Sequence, residues 1–216
     1  MGPEGFLFEL TGGAPCLDLA NTVDLRPSAS PEDHLDKPSD LVDWAAQSGL
    51  LSPGRASAAR RELIERPRAG EALLREAKEI REAIHAIFSA VAGGRPPRAE
   101  ALDRLNTALP GALGALRLEQ GERPAYVWSW SGARSALDGI LPPIVESAAD
   151  LMTSDRLDRV RECEAERCGW LFLDTSRNRT RRWCDMKVCG NRAKARRHYL
   201  RKKVPRGNKR DLRAVS

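Results

Sequence analysis

The chain has 216 residues, of which 41% are hydrophobic, 31% charged and 5% aromatic, enough for one sizeable core with a small module appended. No apolar run approaches the ~20 residues of a membrane-spanning helix, and MGPEGFLFEL has no charged segment leading into an apolar one; neither a membrane span nor a secretory signal is expected, and the cytoplasm is the expected compartment. The net charge of +6 is unevenly spread: Thr175 to Ser216 hold sixteen Lys or Arg against two acids, which leaves 20 bases and 28 acids in the rest of the chain, so an acidic body precedes a basic tail suited to a polyanion.

Along the chain, LTGGAPCLDLANTV offers a glycine turn, Pro15 at a first helical position and apolar Cys16, Leu17, Leu19, Ala20 and Val23, the pattern of a short buried helix. Leu25 to Pro38 reads as a loop. Ser39 or Asp40 can cap a helix that Gly49 ends, and Ser52 caps the next, which Pro67 stops near Arg66. The strongest periodicity is EALLREAKEIREAIHAIFSAVAGG, with Leu73, Leu74, Ala77, Ile80, Ile84, Ile87, Phe88 and Val91 on one face. Pro97 to Leu109 predicts another helix. ALRLEQGERPAYVWSW predicts a short hairpin with Val127, Trp128 and Trp130 as its apolar payload, and Trp44 and Trp128 are expected in the core. Gly132 to Met152 returns to helix, bent at Pro142-Pro143. The reading is therefore mainly α: a multihelical domain over 1–154 with a short β-hairpin, a small four-cysteine zinc-finger module of zinc-ribbon or treble-clef type over 155–204, and a disordered basic tail over 205–216.

Four of the five cysteines lie within 27 residues as Cys163-x4-Cys168-x15-Cys184-x4-Cys189. Two close pairs joined by a longer loop deliver four thiolates to one tetrahedral ion, and a shell closed by four sulfurs makes a structural rather than a catalytic zinc. A mononuclear iron site takes the same ligands, but no redox partner signal accompanies it, and zinc is preferred. Strand-like RVREC and WLFLD flank the first pair, Gly169 suits its turn, and Gly190, expected in a conformation closed to other residues, opens a basic helix after the second. Arg161, Arg167, Arg181, Arg182, Lys187 and Arg192 can offset the −2 charge of the thiolate centre.

Cys184-x4-Cys189-Gly190-Asn191-Arg192, preceded by CGWLFLDTSRNRTRRWC, resembles the CGNR zinc-finger family of bacterial proteins, and LTGGAPCLDLANTV resembles the start of the ABATE domain that precedes that finger. The resemblance covers all but about the last dozen residues. It implies a multihelical N-terminal domain and a stress-induced transcription regulator that binds DNA through its basic finger.

Two stretches are the candidate nucleic-acid contacts. Arg177, Arg179, Arg181 and Arg182 lie between the cysteine pairs, where guanidinium forks can meet phosphates or guanine edges, while Ser176 and Asn178 either assist or simply hold the turn. Arg192, Lys194, Arg196, Arg197 and Arg201 follow the fourth cysteine, distributed all round a helix, which favours binding to the phosphate backbone. Asn191 is read as a cap. In the N-terminal domain Asp18, Asn21, Thr22 and Arg26 form a candidate pocket for a small-molecule effector, against the simpler reading of a solvated helix face; Cys16 is read as a buried small hydrophobe, and His34 and His85 have no evident partner. Nothing in the pattern asks for an enzyme. The leading expectation is a regulator on double-stranded DNA, with an RNA- or ribosome-binding protein and a protein-interaction module as alternatives.

Overall fold

The computed structural model of the chain describes residues 6–121 and 125–203, with the side chains of 197, 198 and 200–203 left out; the tail over 205–216 lies outside the described residues. Among the described residues the fold has seven α-helices and three two-stranded antiparallel ribbons. Among the described residues no helix is long and apolar enough to cross a membrane.

Helix α1 (Pro15–Ala20) begins on proline, whose missing N–H costs nothing in a first turn, and buries Cys16, Leu17, Leu19 and Ala20. Burial pushes the Cys16 thiol up to about 12, as befits a packing residue. The loop expected over 25–38 turns back on itself in a minimal ribbon: β1 (Val23–Asp24), just before it, pairs with β2 (Glu32–Asp33) within it, Asp24 opposite Glu32. Helix α2 (Pro38–Gln47) starts one residue before the expected cap. Asp40 acts from its third position, accepting the Asp36 and Lys37 N–H groups at 3.0 and 2.9 Å. Ser52 caps α3 (Pro53–Glu65) as expected, and Gly49 takes a φ of +77° just past α2.

Pro67 both ends α3 and opens α4 (Pro67–Ala92), the 26-residue spine of the body. Its apolar face is the predicted one: Leu74, Ala77, Ile80, Ile84, Ile87 and Phe88 are buried, with Leu73 and Val91 at the margin. Helix α5 (Ala99–Ala115) runs past the expected stop at Leu109 and through Pro110, because Ala112 and Ala115 still reach the core. Residues 132–141 form turns rather than helix; α6 (Pro142–Thr153) starts at the two prolines instead of bending there.

The hairpin forms as predicted, β3 (Arg117–Gln120) against β4 (Tyr126–Ser129), but its burial does not: Trp128 is 69% exposed, and Leu118, Tyr126 and Val127 also face outward, whereas Trp44 is fully buried. A two-stranded ribbon has no second layer to cover it unless a helix lies across one face, and among the described residues none packs broadly on it.

The last quarter of the chain docks on this body. Strands β5 (Val160–Glu162) and β6 (Leu171–Leu173) lie against α1 and α4, and Val160, Leu171 and Leu173 belong to the same apolar core as the helices.

Candidate metal centre and the cleft beside it

The first cysteine pair is a knuckle between β5 and β6. The register pairs Arg161 with Phe172 and Glu162 with Leu171, and beyond the strands the Cys163 N–H donates to Trp170 O at 2.8 Å. Cys168 N–H donates to Ala165 O at 2.9 Å, and Gly169 follows at φ +71°. Its Cα lies so near the N-terminal domain that a Cβ would sit 3.1 Å from Arg26 Cβ and 3.2 Å from Pro27 Cδ. The second pair is organised by Asp185. Its carboxylate accepts the Lys187 N–H and, at 2.9 Å, the Val188 N–H, opening a π-helical turn (Met186–Gly190) that carries Cys189. Gly190 is not in the left-handed region, contrary to expectation; a Cβ there would lie 2.5 Å from Sδ of the flexible, exposed Met186, which can swing aside. Asn191 closes the turn, its amide donating to Lys187 O at 2.9 Å, and α7 (Asn191–Lys203) follows.

The four sulfurs fit one zinc ion. All four cysteines are buried, and their Sγ atoms lie within 4.8 Å of one another. A tetrahedron with Zn–S bonds of ~2.3 Å has sulfurs ~3.8 Å apart. Cys168 and Cys184 are separated by 3.6 Å, Cys184 and Cys189 by 3.7 Å, far from the ~2.05 Å of a disulfide. Without a cation the cluster cannot ionise fully. Thiol donation from Cys168 and Cys184 favours the Cys163 thiolate, and contact with Cys163 in turn raises Cys168 and Cys184. A divalent ion at the centre removes that conflict. With no open position and no non-sulfur ligand, Cys163, Cys168, Cys184 and Cys189 form a structural zinc centre.

The arginines between the pairs fall into two groups. Arg181 is built into the finger: its guanidinium lies 4.4 Å above the Phe172 ring and donates to the Trp183 and Cys184 carbonyls. Buried Asp174 orders the loop by accepting the Ser176 N–H at 2.8 Å and the Arg181 N–H at 3.0 Å, and Ser176 Oγ accepts the Thr180 N–H, so this serine holds the turn internally. Arg179 pairs with Asp158 and Arg182 with Glu164, both at the surface. Arg177 is exposed and, among the described residues, makes no ion pair. On α7, Arg192 and Lys194 are exposed, and Arg196 pairs with Glu166; the side chains of Arg197 and Arg201 lie outside the described residues.

The polar residues of the N-terminal domain divide in the same way. Asp18, Asn21 and Thr22 line a cleft of about 480 Å³ that the body and the finger enclose together, with Trp170, Arg167 and Arg192 on the finger side. Arg26 does not line it. Instead it pairs with Glu82 at 2.7 Å and donates to Ala20 O at 3.0 Å. Thr22 Oγ1 is bound to Leu19 O and accepts from buried Arg81, which forms a two-pronged pair with Asp33.

Asn21, 3% exposed, holds the finger: its amide donates to Leu171 O and its oxygen accepts the Leu171 N–H, both at 2.8 Å. In an antiparallel pair alternate residues turn their backbone groups away from the partner strand. Leu171 and Leu173 are the outward residues of β6, and the Leu173 N–H donates to Gly12 O at 2.8 Å. The N-terminal domain thus supplies hydrogen bonds to the free edge of the finger hairpin. Trp170 Nε1–H adds a bond to Val23 O at 3.2 Å, and His85, which had no evident partner in the sequence, meets Gly169 O at 2.9 Å through Nε2. His34 also finds partners, Asp24 at 3.0 Å and the Phe6 ring stacked at 4.1 Å. No local sequence signal distinguishes Asn21 as a clamp, since its partner is 150 residues away.

A family model named ABATE, described as "Putative stress-induced transcription regulator", matches residues 13–155, and one described as "CGNR zinc finger" matches residues 159–202. No curated protein matches the chain.

Proposed function

Because the chain belongs to the ABATE family and carries a CGNR zinc finger behind that domain, we propose that it is a cytoplasmic DNA-binding transcription regulator, a binding protein rather than an enzyme. One observation carries the reading. Helix α7 leaves the metal centre directly from the fourth ligand, packs principally on the π-helical turn before it, and exposes Arg192, Lys194 and Arg196. A helix with bases around its circumference and a zinc centre at its root suits the phosphate backbone of a duplex. Arg177, unpaired on the loop that Asp174 pins, is the side chain best placed for a base edge. The zinc supplies folding energy that fixes the root of the helix. In this reading the N-terminal domain responds to the stress signal, and Asn21 transmits its state to the hairpin that bears Cys163 and Cys168.

The test is association of the zinc-loaded full chain with mixed-sequence duplex DNA across a range of salt. The logarithm of the binding constant should fall linearly with the logarithm of salt, by ~0.9 for each phosphate neutralised, and Arg192→Ala with Lys194→Ala should weaken binding to all sequences alike and flatten the slope by about one per lost contact. No association with duplex at low salt would refute the reading; preference for single-stranded RNA, or for neither nucleic acid, would favour an RNA-binding or protein-interaction module.

A further inference from the structure

We infer that Asp24, Glu32 and His34 form a second metal site, distinct from the four-cysteine centre, that takes an exchangeable divalent first-row transition-metal ion at the mouth of the cleft. The register of the small ribbon produces it. Asp24 and Glu32 are direct cross-strand partners, and His34 lies two residues beyond Glu32, so all three side chains leave the same face, while Val23 and Asp33 leave the other, towards the core and Arg81. That face looks into the cleft, which all three residues line.

The charges on this face are unbalanced. Like charges directly opposite one another in a ribbon destabilise it. Asp33, on the other face, is answered by Arg81 and Lys78. Among the described residues neither Asp24 nor Glu32 forms an ion pair with a Lys or Arg; Asp24 meets only His34, and Arg167 and Arg192 line the cleft without pairing with either carboxylate. A single imidazolium cannot answer two carboxylates, whereas a divalent cation on a neutral imidazole can.

The geometry suits such an ion. One ligand atom from each residue lies within 4.8 Å of the other two. Metal–ligand bonds of ~2.1 Å meeting at a right angle place their ligand atoms ~3.0 Å apart, and His34 Nε2 lies 3.0 Å from Asp24 Oδ2. Phe6, stacked on His34 with an interplanar angle of 15°, holds the plane of the ring whose Nε2 meets Asp24 Oδ2. One nitrogen and two oxygens select borderline ions such as Mn²⁺, Fe²⁺, Co²⁺ or Zn²⁺, in contrast to the thiolate centre. Three protein ligands leave further coordination positions turned to the cleft, so the ion is exchangeable where the zinc enclosed by four thiolates is not.

The test is Mn²⁺ titration of the full chain with its finger zinc in place, followed by the loss of the free Mn²⁺ electron paramagnetic resonance signal, with zinc measured at the end. The expected result is one Mn²⁺ per chain and the finger zinc retained. His34→Ala and Asp24→Asn should each weaken binding at least ~10-fold, ligand loss costing no less than loss of a supporting residue. The milder Glu32→Gln, on an exposed side chain, should also weaken it; Glu79→Gln, distant on α4, should not. No Mn²⁺ binding up to the millimolar range overturns the site, as does binding unaffected by both Asp24→Asn and Glu32→Gln, or uptake matched by release of the finger zinc.

Discussion

Asn21→Ala is the sharpest probe of how the helical body holds the finger. The substitution removes two buried hydrogen bonds, both 2.8 Å long, and strands the Leu171 N–H and C=O in the core, since β5 cannot reach them. Each lost bond is worth ~1 kcal/mol net, and each buried group left unpaired costs ~1–3 kcal/mol. Partial relaxation and entry of water lower the sum, so the expected loss is about 2–5 kcal/mol, a large part of a typical domain's 5–15 kcal/mol. For a chain of this length that is a fall of roughly 4–20 °C in Tm. Asn21→Asp is the informative companion: it keeps the acceptor for the Leu171 N–H but aims a charge at the Leu171 carbonyl, so it should recover little. Asn178→Ala, on an exposed residue of the finger loop, should change stability by no more than ~0.5 kcal/mol. Thermal and urea unfolding at saturating zinc give the magnitude, and hydrogen exchange of the Leu171 amide gives the location. An Asn21→Ala protein as stable as the parent, with its Leu171 amide still protected, would show that the clamp contributes nothing.

Three further outcomes are expected. Freshly purified, reduced protein should hold one zinc per chain, with Cys189→Ser losing it, as metal analysis would show; chelation should lower the Tm of the helical body as well, because β6 shares its core. Arg181→Ala should destabilise the finger by about 1–3 kcal/mol through its lost carbonyl bonds, measured by unfolding, while Arg177→Ala leaves stability unchanged and alters only DNA binding. Burial pushes the Asp18 carboxyl up to about 6 against the opposing pull of the Gly12 N–H, so the folded chain holds this proton more tightly than the unfolded one. Asp18 therefore favours folding at low pH; the benefit is lost as pH rises from about 4 to about 6. Asp18→Asn should gain on the parent across that window, by at most ~3 kcal/mol above it, and a pH-independent difference in melting would contradict this.

What could be read from the sequence was whatever is encoded locally. The i, i+3, i+4 spacing of α4, the Ser52 cap and the knuckle at Cys163-x4-Cys168 each depend on residues within a turn or two, and each has its expected form. The errors concern partners far along the chain. Trp128 was expected to be buried because tryptophan usually is, but whether a second layer covers the hairpin depends on helices elsewhere. Arg26 was grouped with Asp18 and Asn21 by proximity in sequence, yet Glu82 on α4 turns it from the cleft. Arg181 looked like its neighbours Arg179 and Arg182 until the fold set Phe172 beneath it. Cross-strand register, which alone unites Asp24 with Glu32 and His34, is invisible in a two-residue ribbon with no alternating pattern.

The change in composition near residue 154 marks a boundary in charge rather than in packing. The body ends there with α6, but Val160, Leu171 and Leu173 lie in the same core as α1 and α4, and burying three such side chains contributes on the order of 5–9 kcal/mol. That is comparable to the whole stability of a domain of this size. The thiolate centre, by contrast, has its own small shell of buried Trp170 and Phe172 with Ala165 and Trp183 at its margin, and α7 packs on the turn that carries Cys189. The hairpin therefore has two faces with different dependents: one completes the helical body, the other carries the metal. Zinc binding and body stability therefore meet at β6, where Asn21 holds Leu171 and the Val23 carbonyl accepts from Trp170, the residue two beyond Cys168.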